Sequence, residues 1–282
     1  MFGIMGIGAG FIQAASAHKG EKFDGMLLYA TVADPEIRSI TGTDIVVKTI
    51  KGGVAHEDTY ASLEGDTLSI SADKNTKIAI TGTITECKIG ENTTFTRISA
   101  MNTALTSLEC SDCYALQELN LSANTALTSL KCPNCYVLQE LNLSTNTALT
   151  SLECSDCYAL QELNLSTNTA LTSLSCSYCY ALQELNLSTN TALTSLDCSG
   201  CYALQELNLS TNTALTSLGC SDCKEVQTIY YPATNEYVST AVADAISNAN
   251  AADGTVYTDS AADYYSTIAD AATAKGWTIE QL

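Results

Sequence analysis

Twelve of the 13 cysteines fall in six C-x-x-C pairs: Cys110 and Cys113, Cys132 and Cys135, Cys154 and Cys157, Cys176 and Cys179, Cys198 and Cys201, Cys220 and Cys223. Two thiols at that spacing make half of a tetrahedral zinc site, and the 18 residues between successive pairs suit a zinc ribbon. The CPNC run at 132–135 also has the spacing of a redox pair. Little else is equipped for chemistry. His18 and His56 lie outside the cysteine-bearing stretch, and His56-Glu57-Asp58 lacks the second histidine of an H-E-x-x-H zinc helix. There is no G-x-S-x-G elbow or Walker loop, and the glycines of GIMGIGAGF do not fit G-x-G-x-x-G. The expectation is a noncatalytic protein with no cofactor.

The elements that carry the cysteines change their meaning. From Asn102 the segment NTALTSLECSDCYALQELNLSA recurs every 22 residues, starting again at Asn124, Asn146, Asn168 and Asn190, with a decaying sixth copy from Asn212. Each copy holds two units of 11 residues, LTSLECSDCYA and LQELNLSTNTA. Both fit one template: leucine, two variable, leucine, one variable, apolar, two variable, then Asn or Cys. The two cysteines of a pair take the places that Leu121 and Asn124 take in the other unit, so both point inward. A zinc knuckle needs a tight turn with glycine, whereas this pair straddles a strand and its exit. The reading is two structural columns of buried free thiols, packed as apolar groups and donating weakly to loop carbonyls. Disulfides between coils and bound metal are the alternatives. Parallel side-chain vectors make the disulfide geometry poor even at the about 4.8 Å separation of stacked strands. Free thiols in such number fit a reducing compartment.

The nested template resembles bacterial leucine-rich repeats in which both halves of a coil carry the strand motif. With cysteine at the Leu-x-Cys position, it resembles the cysteine-ladder, internalin-like proteins and related surface proteins of Bacteroidetes. The resemblance covers about residues 84–230 and implies a noncatalytic protein that binds proteins or surfaces. The closing KGWTIEQL is similar to tails of leucine-rich-repeat proteins from gut bacteria and their phages. The expected fold is a β-rich solenoid with two short strands per 22-residue coil, a β-rich N-terminal cap and an α/β C-terminal cap. A lone coil buries too few leucines to offset its ordering entropy, so the array is stable only as a stack.

Four zones follow. Residues 1–23 read as an apolar attachment segment, because MFGIMGIGAGFIQAASA ends like a signal peptide but lacks its positive n-region. Residues 24–83 read as a cap of short strands (MLLYATV, DIVVKTI, DTLSISA, KIAITGT) separated by Gly, Asp and Asn turns. Residues 84–230 form the repeat solenoid. Residues 231–282 read as two helices alternating with short strands, with Asp259 or Ser260 as an N-cap and Gly276 as a C-cap.

With 31 acids against 12 bases the chain carries a net charge of −19, which argues against nucleic acid as a partner. No apolar run reaches the about 20 residues of a transmembrane helix. A repeat turns every outward position into a column. Glu118, Glu140, Glu162, Glu184 and Glu206 form one, which is either solvated or a surface for cations or a basic partner. Asn120 and its equivalents form an amide ladder beside it, expected to hold the stack by mutual hydrogen bonds. Tyr114, Tyr136, Tyr158, Tyr180 and Tyr202 either cover the core edge or offer a platform to sugar rings.

The copies differ mainly at one outward strand position, Glu109, Lys131, Glu153, Ser175 and Asp197, and just beyond it at Asp112, Asn134, Asp156 and Tyr178. These nine residues are the expected partner-binding face. The partner is a protein, such as an assembly neighbour, or a surface glycan; a homo-oligomer or particle component is also expected, with the apolar segment at 1–23 docking onto a partner or neighbouring subunit. The first reading is display on a virion or other large assembly. The alternatives are an exported bacterial adhesin, at the cell surface or secreted, and a thiol-rich metal-binding protein.

Overall fold

The computed structural model describes residues 25–30, 36–70, 75–89, 95–101, 104–231 and 235–282. The attachment segment expected at 1–23 lies outside the described residues. The fold is strand-rich, with a many-stranded, largely parallel sheet and few helices, consistent with an array like leucine-rich repeats.

Near the N-terminus the sheet is antiparallel. Strands β2 (Glu36–Lys51) and β3 (Val54–Ser69) form a hairpin closed by Gly52 and Gly53, both with positive φ as a two-residue turn demands. These are long strands of 16 residues each, not the short ones expected. The turn signals that appeared to divide them are bulges. Asp44 has a φ of 53° where β2 slips register against β4 (Thr76–Ile89), and a Cβ on Gly42 would strike the Thr83 carbonyl.

Strand β1 (Gly25–Ala30) lies between β4 and β5 (Phe95–Ala100), antiparallel to both. Each flanking strand then starts a parallel column. Glu86 to Lys88 of β4 pair with β6 (Ser107–Glu109), and Arg97 to Ser99 of β5 pair with β7 (Glu118–Asn120). The notional boundary at residues 83 and 84 therefore falls inside β4.

The first column continues through β8 (Ser129–Lys131), β9 (Ser151–Glu153), β10 (Ser173–Ser175), β11 (Ser195–Asp197) and β13 (Ser217–Gly219). Leucine stacks on leucine in every step. Threonine reinforces it: the Thr128, Thr150, Thr172 and Thr194 hydroxyls each donate to the threonine carbonyl of the preceding coil at 3.0 Å.

The second column is thinner. Between β7 and β12 (Glu206–Asn208) it shrinks to the single bridges Glu140–Glu162 and Glu162–Glu184. Full three-residue pairing returns only where the charge is relieved. Glu118 pairs with Arg97 at 3.1 Å, and Glu206 lies beside Thr228 of β14 (Thr228–Tyr230). Stacked glutamates repel, and mid-column ones have a glutamate on either side. Two strands per coil therefore hold at the ends of the array and not in its middle.

Past β14 the second column goes on through β15 (Thr255–Thr258) and β16 (Thr278–Gln281), both parallel. Helices take the other side of these last turns. Helix α1 (Glu236–Asn248) starts at Asn235, whose side chain accepts from the Val238 amide, and it packs across β13. Helix α2 (Tyr265–Lys275) ends at Gly276 with a left-handed φ of 83°, as expected. Its start differs from the expectation. Asp259 accepts from the Ala261 amide in a preceding turn, and the helix begins after Tyr264 with no side-chain cap.

Candidate interaction face

The inward positions settle what the C-x-x-C pairs do. All 13 cysteines are buried and free. From the second pair onward, the second thiol donates to the carbonyl of the first cysteine one coil earlier: Cys135 to Cys110 at 3.4 Å, Cys157 to Cys132 at 3.3 Å, Cys179 to Cys154 at 3.3 Å, Cys201 to Cys176 at 3.2 Å and Cys223 to Cys198 at 3.3 Å. Cys220 donates to the Ala241 carbonyl of α1 at 3.3 Å. Hydrogen bonding within the column, followed by burial, pushes the Cys154, Cys176 and Cys198 thiols well above the ordinary range. Burial pushes Cys87 up to about 12. Thiolate, the form that binds zinc or attacks a disulfide, is suppressed at those four, whereas hydrogen bonds from Cys132 and Cys135 pull Cys157 down to about 4 and one from Cys198 pulls Cys223 down.

In the other half-coil, asparagine does the same work twice over. The Asn168 side chain donates to the Asn146 carbonyl at 2.8 Å and to the Leu143 carbonyl at 3.2 Å. Asn146, Asn190 and Asn212 repeat the pattern. The mutual ladder expected at Asn120 is thus found at these buried positions. Asn120 and Asn142 instead accept from the amides of Ser122 and Ser144, two residues along.

The outward strand column is partly self-paired. Lys88 forms an ion pair with Glu109, and Lys131 lies 3.5 Å from Glu153. Lys88 was not legible from the repeat, because its strand enters one residue out of the 22-residue period: Cys87 rather than residue 86 stacks on Leu108. Further along, Ser175 shares a 2.7 Å hydrogen bond with Ser155, and Asp197 accepts from the Ser199 amide at 3.0 Å.

The second variable column has a backbone cause. Asp112, Asn134, Asp156, Tyr178, Gly200 and Asp222 all have positive φ, between 57° and 72°. Asp, Asn and Gly are the residues that tolerate this region, so five of the six choices follow from conformation. Asn134 also donates to Asp112 at 2.8 Å. Tyr178 is the exception, with its side chain 43% exposed.

The tyrosine column is a continuous stack. Rings from Tyr114 to Tyr202 lie 4.7–4.9 Å apart, and Lys224 closes the last face at 5.1 Å. The faces are thereby turned on one another, leaving edges and hydroxyls to solvent. Loss of hydration, then Asp156, pushes the Tyr158 hydroxyl up to about 12. On the second column, shallow grooves run between coils, lined by Gln183, Glu184, Asn186, Gln205, Glu206 and Asn208. No helix among the described residues is long and apolar enough to cross a membrane.

No protein-family model matches the chain, and no curated protein matches it. Among solved structures it is similar to a functional domain of InlJ from Listeria monocytogenes that includes a cysteine ladder. Identity is 18%, the match spans 57% of each chain, and the TM-score is 0.26.

Proposed function

We propose that this chain is a noncatalytic leucine-rich-repeat solenoid that binds a protein partner through its first outward column, as a component of a virion or other large assembly. One observation carries this reading. The inward leucines, cysteines and asparagines barely change from coil to coil, while the outward strand position runs Glu109, Lys131, Glu153, Ser175, Asp197. A pure spacer has no use for variation in an exposed strand column whose backbone pairing is the same in every coil. An extended row of varied side chains on stacked repeats is the usual form of such a binding surface.

The test places a photo-crosslinking amino acid at position 175 in the full chain, and at position 162 as the opposing control, in the native host. Crosslinks from position 175 to one protein, lost when Glu109, Glu153 and Asp197 are reversed to lysine, support the reading. Crosslinks from position 162 alone would move the face to the glutamate column. Mass spectrometry of virions, envelope and medium then places that partner in an assembly or on an exported surface.

A further inference from the structure

Six turns repeat the same left-handed residue, and only one fills it with a large side chain. Tyr178 holds a φ of 58°, a conformation that a bulky L-residue adopts only under strain. Burial does not account for it, since the side chain is 43% exposed. The ring reaches over Gly200 of the next coil, where a Cβ would collide with it. It stands edge-on to Tyr180, with centroids 6.3 Å apart at 84°.

Asp197 lies on the same surface. Glu109 and Glu153 in its column have lysine neighbours, but Asp197 is flanked in register by Ser175 and Gly219. Its carboxylate accepts from the Ser199 amide and lies over Gly219, where a side chain would collide with it. The Asp197 carboxylate and the Tyr178 ring therefore border the same dipeptide, Ser199-Gly200, each lying where a glycine lacks a side chain, the ring over Gly200 and the carboxylate over Gly219. An exposed aromatic ring and a carboxylate on one surface dipeptide, with no basic residue in register with the carboxylate among the described residues, can together receive a cation. The fold already stacks ammonium groups on tyrosine elsewhere, with Lys224 5.1 Å from Tyr202 and Lys77 5.5 Å from Tyr29.

We propose that Tyr178 and Asp197 form a binding site for an arginine side chain of the protein partner, its guanidinium lying on the ring and paired with the carboxylate. This rests on the protein-binding reading of the face and narrows it to the coils between residues 175 and 219. Arginine fits better than lysine because its planar group can stack and pair at once.

The test titrates the full chain with N-acetyl-arginine amide and with its neutral isostere N-acetyl-citrulline amide, following backbone and tyrosine-ring NMR signals. Saturable shifts at Tyr178, Ser199 and Gly200 with the arginine probe alone are expected. Tyr178→Asn and Asp197→Asn should each weaken them by about fivefold. Equal response to both probes, or shifts centred on Glu140 to Glu184, would overturn the site.

Tyr178→Asn carries a second readout, because Asn134 already occupies the same turn with a φ of 60°. Its thermal midpoint should rise as strain is released. A lower midpoint would make Tyr178 a packing residue and sink the proposal. The parent reading fails separately: arginine shifts without crosslinks from position 175 would leave a cation site on a face that binds no protein.

Discussion

The two halves of each coil share a template and hold the stack by opposite means. In the thiol half, the strand ladder is complete in every coil, with leucine on leucine, a threonine rail and charges that alternate in sign at its start. Inside it, each coil contributes one weak sulfur donor to the coil before. In the amide half, the ladder dwindles to bridges among glutamates, but each buried asparagine ties two carbonyls of the neighbouring coil. Each half is strong where the other is weak. The cysteines are tolerable because the strands beside them are well paired.

Base should expose the difference most. A thiol whose folded pKa is raised contributes stability that is fully present below its unfolded value and lost as pH rises through the folded one. For Cys87 that window runs from about 9 to about 12. Every buried thiol that ionises only when unfolded steepens the loss by about 1.4 kcal/mol per pH unit. Urea midpoints in reductant should therefore fall sharply between pH 9 and 11. Converting one thiol half to the amide pattern, with Cys154→Leu and Cys157→Asn, should flatten that fall; an unchanged slope would show that other groups cause it.

Truncation comes next in size. Asn168→Ala removes two buried hydrogen bonds and should cost about 2–3 kcal/mol by denaturant unfolding. Asn168→Cys, which mimics the other half, should recover part of that loss. Cys157→Ala removes one sulfur donor and a small volume, for about 1 kcal/mol. Equal losses for the two alanine variants would erase the proposed division of labour.

Much of this was readable in the sequence. The 22-residue period fixed which leucines, cysteines and asparagines point inward, because burial in a stacked array must repeat with the chain. The limits were set by interactions that a repeat unit does not contain. Lys88 pairs with Glu109 from a strand one residue out of period, and the long β2 and β3 looked divided because bulge residues share their composition with turns. The positive φ shared by the Asp112 column was hidden as well, because residue identity varies there while the backbone conformation stays constant. The same constraint singled out Tyr178 once the backbone was known.

The smallest expected effect tests why the amide half lost its strands. Glu162 bridges to Glu140 on one side and Glu184 on the other, so its charge meets a like charge twice. Glu162→Gln keeps shape and hydrogen-bonding capacity while removing both repulsions, and should stabilise the array by about 0.5 kcal/mol at low salt. Screening shortens the reach of exposed charges to about 3 Å at 1 M salt, so the gain should vanish there. Strand formation should follow the same rule, with slower amide exchange around residues 161–164 in the variant. Stabilisation that persists in high salt would point to side-chain packing as the cause. No stabilisation at either salt would mean that the ladder is thin because the neighbouring turns forbid more pairing, and the glutamates merely occupy a place where strands were already short.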